Sequence, residues 1–129
     1  MCRNSRRISN AMVVKGVVIR GAQLGRKMGF PTANIDAQGI DHIANGVYYS
    51  QVRLAGRLHN AMSNVGTRPS VDGQSRLLET HIFGFAGDLY GQELEVDLRL
   101  KIRDERRFGS IEELQRQLEK DAALCNPEL

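Results

Sequence analysis

The stretch LGRKMGFPTANI, residues 24–35, combines glycines, basic residues and a Thr-x-Asn pair after a proline. Its glycines let backbone N–H groups approach oxygen atoms without an intervening Cβ, and Arg26 adds positive charge. Side chains two apart in an extended segment point the same way, so Thr32 and Asn34 would present two oxygens to one hard cation such as Mg²⁺. The composition is therefore typical of a site that handles phosphate and its metal.

This loop also has a simpler explanation. It lacks both the G-x-x-x-x-G-K-[ST] and the G-x-G-x-x-G phosphate-binding fingerprints. A surface hairpin loop with turn-forming glycines accounts for the same residues, and from spacing alone it is the favoured interpretation. Both interpretations stay open at this point.

A carboxylate inside an apolar segment is the second candidate. In LLETHIF, residues 77–83, period-2 alternation puts Glu79 on one face of a strand together with His81. A carboxylate placed there can take a proton from a substrate hydroxyl. The simpler interpretation, a strand residue that faces solvent, is favoured without other evidence, and His81 is interpreted as a structural neighbour.

The third candidate is RDERRF, residues 103–108, which gathers three arginines and one aromatic residue. Arginine pairs well with phosphate, and Phe108 can cover a flat ring. In isolation, a solvated charged loop in which Phe108 anchors the following helix is the better interpretation.

Short strands separated by turns must position these groups. The sequence predicts strands or apolar strand-like runs over 12–20, 46–54, 57–65, 76–85 and 93–103, turns over 55–56 and 86–92, and a loop over 66–75. The last strand has the clearest pattern, with a buried face predicted to comprise Leu94, Val96, Leu98, Leu100 and Ile102.

One helix follows the strands. Ser110 is a suitable N-cap, and Glu113 completes a capping box. Helical spacing predicts an apolar stripe of Ile111, Leu114, Leu118 and Ala122, and Pro127 lies beyond the end. Several strands followed by one terminal helix indicate a mainly β protein, a small antiparallel barrel with a helix packed against it.

Composition sets the broad class. The 129 residues are 41% hydrophobic and 26% charged, with a formal net charge of +3, which suits one domain and an anionic ligand. Cys2 and Cys125 lie outside any metal-binding spacing, so we predict free thiols, no zinc site and a cytoplasmic protein. No apolar run approaches the roughly 20 residues that span a membrane. Residues 1–11 are interpreted as a flexible basic arm or linker before a domain of residues 12–129.

Taken together, these segments resemble the riboflavin kinase family. GVVIRGAQLGRKMGFPTANI is similar to the opening of that family, whose hallmark is the PTAN tetrapeptide after a glycine-containing loop. Similar segments follow in order: NGVYYSQV, SNVGTRPSV, LETHIF, DLYGQELEV and KIRDERRFGSIEELQRQL. The resemblance covers residues 14–121 and implies a six-stranded antiparallel Greek-key β-barrel with a C-terminal α-helix.

The resemblance also implies an activity and a set of site residues. The reaction is Mg²⁺-dependent transfer of the ATP γ-phosphoryl group to the ribityl 5′-hydroxyl of riboflavin, giving FMN and ADP. By position, Glu79 matches the general base, and Thr32 and Asn34 match the ligands of Mg²⁺ and ATP. The other nucleotide-binding positions are Gly21, Arg26, Gly84 and Tyr90, and the flavin-binding positions are Arg103, Arg106 and Phe108.

Some features depart from the family pattern. Ala44-Asn45 stands where many relatives have a proline-containing turn, and Gly84 replaces a common acidic or polar residue. This kinase module is fused to an FMN adenylyltransferase in many bacteria, but H-x-G-H is absent here, so we expect FMN and not FAD as product. The expected partners are riboflavin, ATP and a fused or separate adenylyltransferase domain, with no nucleic acid or membrane, and the expected state is a monomer.

Two rival functions account for parts of this pattern. A barrel that binds a flavin or nucleotide without turnover would not need Glu79 together with the PTAN pair. A nucleic-acid-binding barrel would need aromatic residues on one basic strand face, whereas the adjacent Tyr48 and Tyr49 point to opposite faces. The sequence therefore favours the enzyme.

Overall fold

A computed structural model describes residues 13–19, 29–36, 40, 42–70 and 73–127 of the chain. In these residues the elements, in chain order, are β1 (Val13–Ile19), β2 (Ala33–Asp36), β3 (Gly46–Leu54), β4 (Arg57–Ser70), β5 (Gly73–Ile82), β6 (Glu93–Arg103) and α1 (Ile111–Cys125). The predicted arm, residues 1–11, lies outside the described residues.

The six strands close into one antiparallel barrel in the order β1-β2-β5-β4-β3-β6. Strands β3, β4 and β5 follow one another as hairpins, and β6 then returns to pair with β3. Three hairpin-connected strands and a returning fourth form a Greek key. The predicted mainly β fold, a six-stranded antiparallel Greek-key barrel with a C-terminal helix, is confirmed.

The inside of the barrel is apolar, with one line of polar groups across it. Its buried side chains include Val18, Ile35, Val52, Val65, Leu78, Val96 and Leu98. Among them, the hydroxyl oxygen of Ser63 lies 2.7 Å from that of Ser50 and 2.9 Å from that of Thr80. Each hydroxyl therefore has a partner, as burial of a polar group requires.

The hairpins explain one correct and one wrong prediction. The 55–56 turn is present, with Ala55 at φ 50° and Gly56 at φ 80°, and two positive φ values are typical of a tight hairpin turn. The predicted loop is wrong for residues 66–70 and 73–75, because β4 continues to Ser70 and β5 starts at Gly73, while residues 71–72 lie outside the described residues. Beyond Val65, β4 has no partner in β3 and pairs with β5 alone, and proline is tolerated on such an edge.

Strand β6 follows its predicted alternation for only part of its length. Leu94, Val96 and Leu98 are buried in the core as expected, but Leu100 is 62% exposed. The register between β3 and β6 shifts after Leu98, so two residues of β6 oppose one of β3. Such a bulge sends the next side chain to the other face of the sheet, which explains why the prediction for Leu100 is wrong. Ile102 packs against the cluster under the helix instead.

Helix α1 packs on the outside of the barrel, against β3 and β4. Ser110 caps it by accepting a hydrogen bond from the Glu113 N–H at 3.2 Å, while the Glu113 carboxylate accepts from Gly109 N–H at 3.0 Å. The capping box is thus present, although its second half reaches one residue further back than predicted.

The buried side of α1 is displaced toward its C-terminal half. Ala122 and Cys125 pack with Val47, Met62 and Phe83 on the outer surface of the barrel, and Leu118 adjoins them. Ile111, predicted to belong to the apolar stripe, is 59% exposed. No helix in the described part of the chain is long and apolar enough to cross a membrane.

Candidate functional site

A pocket of about 360 Å³ opens between β1, β5 and the segments on either side of them. Residues 31–34 form one wall, the ends of β1 and β5 form the floor, and residues 85–90 form the opposite wall. The pocket brings Thr32 and Asn34 together with Tyr90, although these residues are almost 60 positions apart in sequence. The sequence did not predict the contribution of residues 85–89, which it assigned only to an apolar run and a turn.

Thr32 and Asn34 lie side by side on this wall. The Thr32 hydroxyl donates to Asn34 Oδ1 at 3.3 Å. Thr32 is exposed, whereas Asn34 is 3% exposed because it belongs to β2 and has β1 and β5 on either side. The first two residues of PTAN precede the strand and the last two belong to it, which fixes the Asn34 side chain.

A row of cross-strand neighbours runs across all six strands of the barrel, from β1 to β6. Each residue lies opposite the next on the adjacent strand, in the order Ile19, Asn34, Glu79, Asn64, Val47 and Arg103. We call these six residues the outer row. It connects the pocket, through Asn34, to the start of the 103–108 segment.

Glu79 occupies the middle of the outer row. Its neighbours along β5, Leu78 and Thr80, are buried in the barrel, so the Glu79 side chain lies on the opposite, outer face. It is half-buried there, between Asn34 and Asn64. Side chains directly opposite each other in antiparallel strands interact at about 5 Å between Cβ atoms.

His81 ties the PTAN segment to β5. Its Nδ1 lies 2.7 Å from the carbonyl oxygen of Pro31, the residue before Thr32. Its ring packs edge-on against Phe30 and Phe83, with centroids 5.3 Å and 4.9 Å apart. Burial lowers the pKa of His81, and the Pro31 hydrogen bond opposes this in part. The contacts fit the interpretation of His81 as a structural neighbour.

Arg103, at the end of the outer row, binds helix α1. Its Nη2 donates to Asp121 at 2.8 Å, and its Nε donates to both oxygens of the same carboxylate at 3.1 Å. Asp121 is 1% exposed. The sequence missed this partner, although an acidic residue next to the apolar stripe of a helix is a signal that could have pointed to it.

Two arginines lie within cation–π distance of the Phe108 ring. The guanidinium carbon of Arg106 lies 4.7 Å from the centre of the Phe108 ring, and that of Arg103 lies 5.6 Å away. These cation–π contacts hold the half-buried ring near the end of the outer row. The three predicted flavin-binding residues are thus gathered in one place.

Of the other predicted nucleotide-binding residues, the structure describes Tyr90 and Gly84. Tyr90 is 51% exposed and lines the pocket. Gly84 is in the turn after β5 with φ +75°, a conformation that favours glycine. Gly84 is not among the pocket-lining residues. Gly21 and Arg26 lie outside the described residues.

A family model described as riboflavin kinase matches residues 8–128. The chain belongs to the riboflavin kinase family. An RNA-binding riboflavin kinase of Bacillus subtilis is 43% identical over 110 residues, 84% of this chain and 47% of that protein. A bifunctional riboflavin kinase/FMN adenylyltransferase of Haemophilus influenzae is 46% identical over 107 residues, 82% of this chain and 35% of that protein. The chain thus spans less than half of the length of these relatives.

Two solved structures share the fold of this member of the riboflavin kinase family. Riboflavin kinase from Trypanosoma brucei superposes with a TM-score of 0.64 at 21% identity, covering 91% of this chain and 78% of that one. A crystal structure named as a macrolide-efflux protein from Streptococcus pneumoniae gives a TM-score of 0.79 at 30% identity, over 95% of this chain and 46% of that one. The barrel and its helix are therefore shared with longer proteins.

Proposed function

We propose that this chain is a riboflavin kinase, which transfers the γ-phosphoryl group of ATP to riboflavin and gives FMN and ADP. The carrying observation is the position of Glu79 in the outer row, opposite Asn34 of the pocket on one side and Asn64 on the other. A carboxylate between a polar pocket and an aromatic-arginine cluster suits a reaction that joins a phosphate donor to a ring-bearing alcohol. Membership of the riboflavin kinase family supports this choice.

The pocket is the proposed site of the nucleotide. Its volume of about 360 Å³ lies within the range typical of small-molecule sites. Gly21, Arg26, Gly84 and Tyr90 are proposed to contact ATP, as the family resemblance implies, and Tyr90 already lines the pocket. Residues 85–89 complete the wall that would enclose it.

Thr32 and Asn34 are the proposed ligands of Mg²⁺. Their side-chain oxygens are 3.3 Å apart and neutral, and oxygen atoms are the ligands that this hard cation prefers. With few protein ligands and several remaining positions for phosphate and water, the pair fits the usual way in which Mg²⁺ accompanies a nucleotide. When bound, the ion would neutralise charge on the phosphate oxygens.

Riboflavin is proposed to bind at the other end of the outer row. Phe108 offers an apolar face to the flavin ring, and Arg106 offers hydrogen-bond donors at its rim. Arg103 already uses its Nε and Nη2 donors on Asp121 and its Nη1 on the Asp104 carbonyl oxygen. We therefore assign Arg103 to orienting Phe108 as well as contacting the flavin.

The proposed chemical step follows from this arrangement. The ribityl 5′-oxygen attacks the γ-phosphorus, its proton passes to the Glu79 carboxylate, and the bond from the γ-phosphorus to the bridging oxygen breaks. ADP leaves with the electron pair of that bond, and FMN keeps the phosphoryl group. Because the transition state of phosphoryl transfer is loose, most of the catalysis comes from positioning and charge neutralisation, and the base adds about 10²- to 10⁴-fold.

The direct test is to incubate the purified protein with riboflavin, ATP and Mg²⁺ and to separate flavins and nucleotides by chromatography. FMN and ADP should appear in equal amounts, and neither should form without Mg²⁺ or without protein. Folded protein that binds riboflavin but forms no FMN would refute the kinase and support a non-catalytic flavin-binding barrel.

The cellular setting is part of the same proposal. Residues 12–129 would form the kinase module and residues 1–11 an arm or linker, in a monomer that works in the cytoplasm. The bifunctional relative from Haemophilus influenzae is named as both a riboflavin kinase and an FMN adenylyltransferase. We propose that such a domain, fused or separate, uses the FMN made here. Light scattering during gel filtration tests the monomer, and a dimer would overturn it.

A further inference from the structure

Asn64 has an unusual environment in the middle of the outer row. It lies on β4, opposite Glu79 on β5 and Val47 on β3. Its Nδ2 donates to Oε2 of Glu105 at 3.4 Å, which joins β4 to the 103–108 segment. Its Oδ1 is buried and has no hydrogen-bond partner within the part of the chain that the structure describes.

The orientation of this amide follows from its partner. A carboxylate oxygen accepts hydrogen bonds, so the nitrogen of Asn64 must be the atom that faces Glu105. Oδ1 is therefore directed elsewhere as a pure acceptor. Buried side-chain oxygens without a partner are few in native proteins, and each calls for an explanation.

In the described residues, Asp97 Oδ1 is the other buried side-chain oxygen without a partner, but it belongs to a carboxylate whose Oδ2 accepts a hydrogen bond from Arg99. The hydroxyl groups inside the barrel, by contrast, are all paired. There the hydroxyl of Ser63 is bonded to both Ser50 and Thr80, so none of the three lacks a partner. Asn64 is the next residue along β4 and faces the other way. An unmet acceptor on the outer face, beside the proposed base, suits a hydrogen bond from a ligand.

The position of Asn64 identifies the part of the ligand it would meet. The flavin ring is proposed to lie at Phe108, and the 5′-hydroxyl is proposed to lie at Glu79. The ribityl chain connects ring and 5′-hydroxyl, and it carries hydroxyl groups along its length. Asn64 lies opposite Glu79 and is hydrogen-bonded to Glu105 of the segment that carries Phe108. It is thus situated along the path that the chain must cross.

We propose that Asn64 is a specificity-determining residue whose Oδ1 accepts a hydrogen bond from a ribityl hydroxyl. This inference rests on the proposed function, because it takes riboflavin as the ligand. It adds discrimination for a polyol chain, since a buried acceptor left unpaired disfavours an analogue that lacks the hydroxyl. Aligning that chain also brings its terminal hydroxyl to Glu79.

A purely structural Asn64 would behave differently. If its role were only to hold Glu105, its loss would disturb the 103–108 segment and weaken every flavin alike. Lumiflavin has the same ring as riboflavin but a methyl group in place of the ribityl chain. Comparing the two ligands therefore separates recognition of the chain from support of the ring site.

The test is a fluorescence titration of riboflavin and of lumiflavin with wild-type protein and with Asn64→Leu, which is close in shape but has no polar atoms. We expect Asn64→Leu to weaken riboflavin about tenfold, the size of a lost hydrogen bond to a substrate hydroxyl, and to change lumiflavin by less than about twofold. Glu105→Ala is the matched control, because it removes the Nδ2 partner and leaves Oδ1 in place. It should change the two flavins by the same factor.

Several outcomes would overturn the inference. Equal weakening of both flavins by Asn64→Leu would make the residue structural, and unchanged riboflavin binding would remove it from the site. If Asn64→Leu fails to fold by circular dichroism, Asn64→Ala is titrated in the same way and must show the same selectivity. If wild-type protein binds riboflavin through Asn64 but makes no FMN, only the proposed kinase activity is refuted. If it does not bind riboflavin, both proposals are refuted.

Discussion

Asn34 and Glu79 lie directly opposite each other on the antiparallel strands β2 and β5. Both side chains are on the face of the sheet that points away from Ile35 and Leu78, which are buried in the core. Hydrogen bonding along both strands holds the pair in register. A proposed ligand of the nucleotide's metal and a proposed general base are thereby held as immediate neighbours on a rigid support, which is what phosphoryl transfer requires.

The first prediction concerns Glu79 as the base. In Glu79→Gln the side chain keeps its shape but cannot accept the hydroxyl proton, so kcat should fall by about 10²- to 10⁴-fold. Riboflavin affinity and melting temperature should stay close to those of wild type. Steady-state kinetics and thermal unfolding measure these quantities.

Glu95→Gln is the matched control, because Glu95 is an exposed carboxylate on β6 that lies 3.9 Å from the ammonium group of Lys15 and outside the outer row. It should leave kcat unchanged. An intact kcat in Glu79→Gln would show that Glu79 is not the base.

The second prediction concerns the proposed Mg²⁺ ligands. Thr32→Val removes the Oγ1 that lies 3.3 Å from Asn34 Oδ1 and keeps the branched shape. Since altering even the outer shell of a metal site typically lowers affinity or activity by about 10- to 100-fold, the Mg²⁺ concentration for half-maximal rate should rise at least tenfold. Activity titrations with Mg²⁺ at saturating riboflavin measure this.

Thr67→Val supplies the comparison, because Thr67 is an exposed threonine of β4 that does not belong to the outer row or the pocket wall. Its Mg²⁺ dependence should match that of wild type. The same Mg²⁺ requirement in Thr32→Val would remove Thr32 from the metal site.

Local features of this fold were predictable from sequence. The 55–56 turn, the Ser110 cap and the core face of β6 up to Leu98 each depend on residues a few positions apart. The closeness of Thr32 and Asn34 is local in the same sense. Hydrophobic periodicity, helix capping and turn preferences act over this short range, so these features can be predicted from a single sequence.

Features that depend on distant partners were not predictable. The exposure of Leu100 results from a register shift against β3. Residues 66–70 and 73–75 are strand because β4 and β5 pair with each other along these residues. The role of Asp121 was not predictable because it depends on the ion pair with Arg103 of β6. The residues next to Asn64 in the sequence do not indicate that its Oδ1 is buried without a partner, because this depends on the neighbouring strands.

The third prediction tests the ion pair between Arg103 and Asp121. The Asp121 side chain is 1% exposed and that of Arg103 is 18% exposed. Removing one partner of a buried pair leaves the other uncompensated, so Asp121→Ala should lower the free energy of unfolding by about 3 kcal/mol. Urea denaturation with linear extrapolation measures the change.

The double variant Arg103→Met/Asp121→Leu should be less destabilised than Asp121→Ala, because no unpaired charge remains. Lys15→Ala, which removes an exposed ion pair with Glu95, should change stability by no more than about 0.5 kcal/mol. If the double variant has a lower free energy of unfolding than Asp121→Ala, packing and not charge compensation governs this contact.

The fourth prediction uses the pH dependence of His81. Burial lowers the pKa of this imidazole below its usual 6.5, so the folded protein favours the neutral ring and the unfolded chain binds the proton more readily. The stabilisation is therefore fully present above about pH 6.5 and is lost as pH falls through the lowered folded pKa.

In His81→Asn an amide N–H can replace the Nδ1 donor to the Pro31 carbonyl oxygen, but the ring contacts with Phe30 and Phe83 are lost. At pH 7.5 the variant should be about 1–2 kcal/mol less stable than wild type, because edge-to-face aromatic pairs contribute roughly 0.5–1.5 kcal/mol each. The difference should narrow as the pH is lowered toward 5, since only the wild type has this group to titrate. Urea unfolding of both proteins from pH 5 to 8 checks this, and a stability difference that is constant or widens toward acid would contradict a neutral buried His81.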